Sequence, residues 1–330
     1  MRKLTAVLAG LLLATFVFGQ NQQIDALQKA LSKSNDAAEK SGLAAQLSGQ
    51  FRLLGNISSA ADFAEKAIEF AQKSGKNNLV AAALDEQGQV FQQKFDYENA
   101  MRAFVDAMKL RDEAADPSGF SKSKNHIGRV FFQQGDYSSA IQNLEKALEI
   151  RQKQQDMAAS AESNQFLGDV YLAQKVFGKA QEHFRSALEQ KIEAEDISGA
   201  AQIASFLGKL SNELGDGDGA LVYFRQSLDL NQSNENLPKM AVDFTNITEA
   251  LLHQDNFDEA FSTCQTAKKI AVEVRDSVQL AAGFKNEGLI LSKKGEKSKA
   301  AMAFDTASML LTALRGVVGT SEIWQQTATG

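Results

Sequence analysis

Cysteine and proline are nearly absent from this sequence. Its one cysteine, Cys264, excludes an internal disulfide, so packing must supply the stability of the fold. Only two prolines, Pro117 and Pro238, occur among 330 residues. This scarcity favours long helices, because a proline inside a helix removes a backbone hydrogen bond and clashes with the preceding turn. With 44% hydrophobic and 23% charged residues, the chain is expected to fold.

Long basic runs and catalytic motifs are also missing. The formal net charge is −6, and no cluster of lysine and arginine offers the surface that nucleic-acid phosphates require. The three histidines, His126, His183 and His253, lack the spacing of metal ligands. No glycine-rich phosphate loop follows a strand pattern. We therefore expect no catalytic residues, no metal site, no cofactor, no enzymatic activity and no nucleic-acid partner.

The only long apolar stretch lies at the N-terminus. Arg2 and Lys3 precede an uncharged apolar segment, residues 4–18, and Gly19 follows it. This layout is typical of a secretory signal peptide cleaved between Gly19 and Gln20. The alternative, an uncleaved anchor, is disfavoured because a membrane span needs roughly 20 apolar residues. We expect a periplasmic or secreted protein without a membrane span after cleavage.

Small and large residues recur in the sequence at a period of 40 residues. One series of small residues comprises Ser48, Gly88, Gly128, Gly168, Gly208, Thr248 and Gly288. Twelve residues later comes an invariant alanine series: Ala60, Ala100, Ala140, Ala180, Ala220, Ala260 and Ala300. Four residues after each of these alanines comes a position that is bulky in most repeats. It is filled by Ala64, Phe104, Leu144, Phe184, Phe224, Cys264 and Phe304. Seven repeats therefore follow one another without an insertion.

Each repeat contains two segments with apolar residues three or four apart, which is the helical period. A short polar turn joins the two segments. Small residues at fixed positions allow the two helices to approach closely, and the bulky residue fills the space beside them. One hairpin cannot bury its apolar face alone, whereas a stack of hairpins forms a continuous core. Aspartates at the repeat boundary are expected to cap the next helix: Asp116, Asp156, Asp196 and Asp276.

These features divide the chain into four parts. Residues 1–19 are the signal peptide, and residues 20–36 are a capping helix on which Ala26, Leu27 and Leu31 share one face. Residues 37–317 form the seven repeats. Residues 318–330 are a short polar tail that contains Trp324. The predicted fold class is an all-α solenoid of seven helical hairpins with an N-terminal capping helix.

The repeat resembles the tetratricopeptide repeat. The segments that carry the resemblance begin at Ile127 and Leu167 and read IGRVFFQQGDYSSAIQNLEKAL and LGDVYLAQKVFGKAQEHFRSAL. The 40-residue period is similar to the longer repeats of kinesin light chain. The resemblance implies a right-handed superhelix whose concave groove, lined by the first helix of each hairpin, holds a peptide or a helix of a partner protein.

Carrying over the groove positions of that family gives candidate binding residues, which lie six and three residues before the small residue and one, four and five after it. The candidates are Lys122, Asn125, Arg129, Phe132, Gln165, Asp169, Lys209 and Asn212. The basic and amide side chains among them suit a carboxylate and the backbone of an extended segment. The alternative is a solvated face of mixed charge.

The sequence is compatible with two functional hypotheses. The first is an exported adaptor that binds a protein or peptide partner in its groove. An apolar strip formed by Phe132, Leu172, Leu252 and Leu289 would suit a partner helix, unless these side chains pack against neighbouring hairpins. The second is a sensory input module that acts with a separate output protein. Self-association is a further alternative for either.

Overall fold

The computed structural model describes the backbone of residues 22–113 and 115–327, and the side chains of residues 22–112 and 115–314. This part of the chain is entirely helical and contains no strand. The predicted signal peptide lies outside it. The helices are α1 (22–33), α2 (Ala37–Leu53), α3 (Ile57–Ser74), α4 (Asn77–Gln93), α5 (Tyr97–Glu113), α6 (Pro117–Gln133), α7 (Tyr137–Lys153), α8 (Met157–Ala173), α9 (Phe177–Glu193), α10 (Ile197–Glu213), α11 (Gly217–Ser233), α12 (Leu237–His253), α13 (Phe257–Glu273), α14 (Ser277–Lys293) and α15 (Lys297–Thr327).

From α2 onward, each helix begins 20 residues after the previous one. The 40-residue sequence repeat is therefore two halves of equal length, and consecutive helices pack as antiparallel hairpins. The predicted fold class, an all-α array of helical hairpins, is confirmed. The last helix is the exception in length, because α15 continues to Thr327, through most of the segment that the sequence predicts as a polar tail.

The array forms two compact units. The N-terminal unit extends to His183 and the C-terminal unit begins at Phe184, so the boundary lies within α9. Over the described helices of both, none combines the length and the apolarity that crossing a membrane requires.

Aspartate and asparagine side chains begin most of the helices. The predicted caps at Asp116, Asp156 and Asp196 are confirmed, since each carboxylate accepts a hydrogen bond of 2.9 Å from the backbone N–H three residues later. Asp276 accepts two such bonds, from Val278 and Gln279. These bonds satisfy amide groups that the first turn of a helix leaves without a partner. The caps therefore fix where these helices start.

The turns between helices share one backbone conformation. In every turn from residue 55 to residue 295, the residue at the 20-residue spacing has a positive φ. Glycine fills only some of these positions, such as Gly135 with φ 81°, whereas others carry side chains, such as Lys175 with φ 60°. A side chain in this left-handed region costs roughly 1–2 kcal/mol. The repeating turn thus contains strain wherever glycine is absent.

Exchanging residues at this turn position should change stability in opposite directions. We expect Lys175→Gly to raise the free energy of unfolding by up to about 1 kcal/mol and Gly135→Ala to lower it by about 1 kcal/mol. A Cβ atom added at Gly135 would meet no atom within 4 Å, so the second change tests conformation alone. Urea denaturation followed by circular dichroism measures both. Equal signs for the two variants would contradict this explanation.

The small-residue series marks the closest approach of the two helices in a hairpin. A Cβ atom at Gly88 would lie 2.5 Å from the ring of Phe104, and one at Gly208 would lie 2.6 Å from the ring of Phe224. Both rings are buried. The bulky residue therefore occupies the volume that a side chain on the partner helix would need, as the sequence pattern predicts.

The two departures from glycine are matched by smaller residues on the partner helix. In the first hairpin, Ser48 occurs with Ala64 at the bulky position. In the sixth hairpin, Thr248 occurs with Cys264. All four side chains are buried. Burial also raises the pKa of the Cys264 thiol to about 11. This cysteine is therefore a protonated residue of the core, and it is smaller than the phenylalanine or leucine that most other repeats have at this position.

Buried polar side chains join one hairpin to the next in the N-terminal unit. Arg111, 5% exposed, donates hydrogen bonds of 2.6 Å to Asp85 of its own hairpin and to Ser123 of the following one. One repeat later, Arg151 donates to Ser163 at 2.8 Å in the same way. Each guanidinium thus links the second helix of one hairpin to the first helix of the next.

Candidate functional site

A polar cavity opens on the first helices of three consecutive hairpins in the N-terminal unit. Its volume is about 300 Å³. The lining side chains come from α2, α4 and α6, and in each helix they follow the small residue of the repeat by one, four or five positions. They are Arg52, Leu53, Gln89, Gln92, Gln93, Arg129 and Gln133. Four glutamines and two arginines therefore dominate one surface.

Hydrogen bonds connect the glutamines across neighbouring helices. The Nε2 of Gln92 donates to the Oε1 of Gln133 at 2.7 Å, and the Nε2 of Gln93 donates to the carbonyl oxygen of Arg52 at 3.3 Å. A primary amide has two donor hydrogens and two acceptor lone pairs, so one such bond leaves further capacity on both sides. The cavity wall therefore offers both donors and acceptors, which is what a peptide backbone requires.

Two guanidinium groups flank the glutamines. The guanidinium of Arg129 stacks at 4.5 Å over the ring of Phe166. Burial is the largest cause that lowers the pKa of Arg129, and the positive charge of Arg52 lowers it further. Arg52 lies 3.9 Å from Glu86, whose own pKa burial raises. The two cations are therefore close enough to interact, and they make this wall attractive to an anionic group.

A half-buried carboxyl lies on the next first helix, α8. Burial raises the pKa of Asp169 to about 6, although the nearby Arg129 guanidinium lowers it in part. Among the described residues, no basic group forms an ion pair with Asp169 within 4.0 Å. The ionised form of this side chain is therefore held at a cost to stability, which is common at binding sites.

Replacing this carboxyl by an amide should stabilise the protein at neutral pH. A raised folded-state pKa means that ionised Asp169 is destabilising. This penalty is absent below about pH 4 and complete above about pH 6. After a discount for partial exposure, we expect Asp169→Asn to add about 1–2 kcal/mol at pH 7.5 and nothing at pH 3.5. Urea denaturation at both pH values measures this difference, and a gain that does not depend on pH would contradict the assignment.

The structure separates the predicted residues of α6. Lys122 is exposed and lies 3.7 Å from the buried carboxylate of Asp85. Arg129 lines the cavity. Asn125, by contrast, is only 1% exposed, and its Oδ1 accepts a hydrogen bond of 3.1 Å from Ser163. The placement of Asn125 on the groove surface is therefore corrected: three residues before the glycine, this helix faces the next hairpin.

The other predicted positions are distributed over both units. Phe132 is half-buried, and its ring lies 6.0 Å from that of Tyr137 in its own hairpin. Gln165 is half-buried on α8 beside Asp169. In the C-terminal unit, Lys209 and Asn212 line two different cavities. A role for these residues in binding stays a prediction.

The predicted apolar strip is not uniform. Leu252 packs against the hydrophobic core of the C-terminal unit, which favours the packing alternative at that position. Leu172 is half-buried, and Leu289 is 42% exposed. Phe132 and Leu252 are half-buried as well, and a role of the four side chains in binding a partner helix stays a prediction.

Two histidines prove to be packing residues. His126 is buried and stacks at 4.8 Å on Phe104, and burial lowers its pKa well below the usual value. His183 stacks at 5.3 Å on Tyr171. In the part of the chain that the structure describes, no three histidine, cysteine or acidic side chains are grouped so that they could hold a metal ion.

The cavity residues of α2 and α4 were not among the predicted set. Applying the same positional rule to the first two repeats would have selected Arg52, Gln89, Gln92 and Gln93. Their sequence signal is weak, because glutamine on a helix is normally a solvated residue. Only the packing of three adjacent hairpins shows that these side chains converge.

One segment of the chain is similar to a known repeat family. Residues 121–193 match the family model of the tetratricopeptide repeat. Over this segment the helical hairpins are similar to tetratricopeptide repeats. The match includes α6 to α9, and hence Arg129 of the cavity and Asp169 beside it. No curated protein is significantly similar to the chain in sequence.

Solved structures share the fold at low sequence identity. BtubC (BKLC) from P. vanneervenii is 17% identical, with a TM-score of 0.56, over 68% of this chain and 92% of that protein. Aspartyl phosphate phosphatase F from Bacillus subtilis is 14% identical, with a TM-score of 0.56, over 83% and 72%. The quorum sensor NprR from B. thuringiensis, in its apo form, is 11% identical, with a TM-score of 0.51, over 91% and 96%. These similarities establish the helical-repeat fold.

Proposed function

We propose that the protein is a non-catalytic adaptor that binds an extended segment of a protein or peptide partner in the polar cavity of the N-terminal unit. The observation that carries this proposal is the row of glutamine amides on α4 and α6 between the guanidiniums of Arg52 and Arg129. The convergence of donors, acceptors and positive charge on one concave surface suits recognition rather than proton transfer.

The chemistry of the cavity defines the segment that it would accept. Main-chain N–H and C=O groups of the partner pair with the donor and acceptor capacity that the amides of Gln92 and Gln133 keep beside their mutual hydrogen bond. A carboxylate of the partner pairs with Arg52 or Arg129, because a guanidinium presents two parallel N–H donors to a carboxylate. The segment is therefore extended and carries an acidic side chain or a C-terminal carboxylate.

The location of this activity follows from the N-terminal sequence. We place the mature protein in the periplasm or outside the cell, because residues 4–18 have the length and apolarity of a signal peptide. N-terminal sequencing of the protein from native envelope and medium fractions tests this placement. A mature N-terminus at Gln20 supports it, whereas Met1 in the cytosolic fraction contradicts it.

Affinity capture from the native envelope fraction tests the adaptor function. The bait is the chain from Gln20, compared with an Arg52→Glu, Arg129→Glu variant. The matched control is Lys109→Glu, Lys146→Glu, which makes the same change in charge at exposed positions of the second helices α5 and α7. We expect the native and control baits to retain a common partner that the cavity variant loses. Equal retention by all three baits would refute binding at the cavity, and so would the absence of any retained partner.

The alternative is a sensory module, in which the same cavity receives a signal and a separate output protein responds. The similarity of fold to the quorum sensor NprR is compatible with this role. The two functions differ in whether binding of the partner protein depends on a ligand. A sensor should recruit or release its output protein only after a ligand is added, whereas an adaptor should hold its partner without one. Repeating the capture with and without concentrated culture medium distinguishes them.

A further inference from the structure

The C-terminal unit departs from the polar link that joins hairpins in the N-terminal unit. Three repeats after Arg111, the corresponding residue is Asn231, and Asp243 replaces Ser123. The position of Asp85 is taken by Ser205. The long cation has therefore been lost at this interface, and an acid has been gained in its immediate surroundings.

The acid that remains is buried without a cationic partner. Asp243 is only 2% exposed. Its two carboxylate oxygens accept hydrogen bonds of 2.7 Å, one from Ser227 and one from Asn231. Within the described residues, no lysine, arginine or histidine forms an ion pair with it at 4.0 Å or less. By contrast, the buried Asp85 binds Arg111 at 2.6 Å. A buried charge without a counter-ion is costly.

A cavity occupies the place of the missing arginine. Its volume is about 240 Å³, and Ser205, Asn231 and Asp243 all line it. These are the positions that surround or supply the guanidinium in the N-terminal unit. Two exposed lysines, Lys209 and Lys239, also line the cavity. The buried acid Asp243 and the two exposed lysines therefore line one cavity with charges of opposite sign.

We propose that this cavity binds a ligand that combines a guanidinium group with a carboxylate, namely arginine, either free or as the C-terminal residue of a peptide. The ligand's guanidinium pairs with Asp243 and takes the place that the guanidinium of Arg111 has three repeats earlier. The ligand's carboxylate pairs with Lys209 and Lys239. The shape and hydrogen bonding of Asn231 and Ser227 hold the carboxylate of Asp243 in position for this contact. The site lies in the C-terminal unit and does not depend on the function proposed for the N-terminal unit.

Isothermal titration calorimetry of the chain from Gln20 tests this site with four probes. L-arginine and the dipeptide Gly-Arg distinguish a free amino acid from a peptide terminus. L-citrulline has nearly the same shape as arginine but no positive charge, and L-argininamide lacks the carboxylate. We expect citrulline and argininamide each to bind at least about tenfold more weakly than the better of the first two probes. Equal affinity for arginine and citrulline would overturn the pairing with Asp243.

Two variants make the test independent of the probes. Asp243→Asn should weaken arginine binding at least about tenfold while the circular dichroism spectrum is retained. Asn231→Arg places a guanidinium of the chain itself into the cavity, so it should abolish arginine binding and raise the melting temperature. A fall in melting temperature for Asn231→Arg would overturn the proposal, and so would undetectable binding of every probe to the native chain. The Arg52→Glu, Arg129→Glu variant should bind arginine normally, which separates this site from the N-terminal cavity.

Discussion

Replacing Arg111 with methionine is expected to lower the free energy of unfolding by about 3–5 kcal/mol. The change leaves Asp85, which is fully buried, without its guanidinium partner. Removing one member of a buried ion pair costs this much because the remaining charge is neither solvated nor paired. Lys122, at 3.7 Å, offers Asp85 only partial compensation, since its side chain is half exposed.

A double variant distinguishes the charge from the loss of packing. Arg111→Met combined with Asp85→Leu removes both charges and should recover most of the stability. Arg102→Met, at an exposed position of the same helix, is the matched control and should change stability by less than about 0.5 kcal/mol. Urea denaturation gives the totals, and hydrogen exchange shows whether α4 to α6 open first. If the double variant were as unstable as Arg111→Met alone, the ion pair would not explain the loss.

The second large effect concerns the contact between Gly208 and Phe224. We expect Gly208→Thr to destabilise by about 3 kcal/mol, because the added side chain overlaps the Phe224 ring, and Phe224→Cys to destabilise by about 3 kcal/mol, because it leaves a cavity. The combination reproduces the pair that Thr248 and Cys264 form one repeat later. We therefore expect the double variant to be at least about 2 kcal/mol more stable than the sum of the single changes predicts.

Thermal and urea denaturation of the four proteins in this cycle measure the coupling. Additive effects would show that the pairing of small and large residues in the repeats arises from independent preferences at each position. A strong positive coupling would show that each hairpin sets its own helix separation through one pair of residues, so that the pair can be exchanged as a module.

The architecture was predictable because it depends on patterns that recur seven times. The alanine and glycine series fixed the period, and the aspartates marked the helix starts. The two exceptions Thr248 and Cys264 fall in one repeat of the sequence, and the cycle of variants above tests whether their sizes compensate each other. The left-handed turn residues were less accessible, because a lysine at residue 175 gives no sign that its φ is positive.

The binding surface was less predictable than the fold. Arg129, chosen from the sequence as a groove residue, lines the cavity, whereas Asn125, one turn earlier, is buried in the interface to the next hairpin. The difference arises because a helix in such an array contacts two neighbours, so a periodic rule cannot decide which of them a polar side chain faces. Buried partners such as Asp85 and Arg111 lie in different helices, and their pairing depends on how the two helices of the hairpin pack.

Site-specific photo-crosslinking tests whether a partner binds in the N-terminal cavity. A benzoylphenylalanine residue is placed at Gln93, in the wall of the N-terminal cavity, or at Lys146, an exposed position of α7 that does not line it. After irradiation of native envelope fractions, we expect one discrete adduct from the crosslinker at Gln93 and none from the crosslinker at Lys146. The Gln93 adduct should be absent when Arg52→Glu and Arg129→Glu are also present. An adduct formed equally from both positions, or from Lys146 alone, would contradict binding in the cavity.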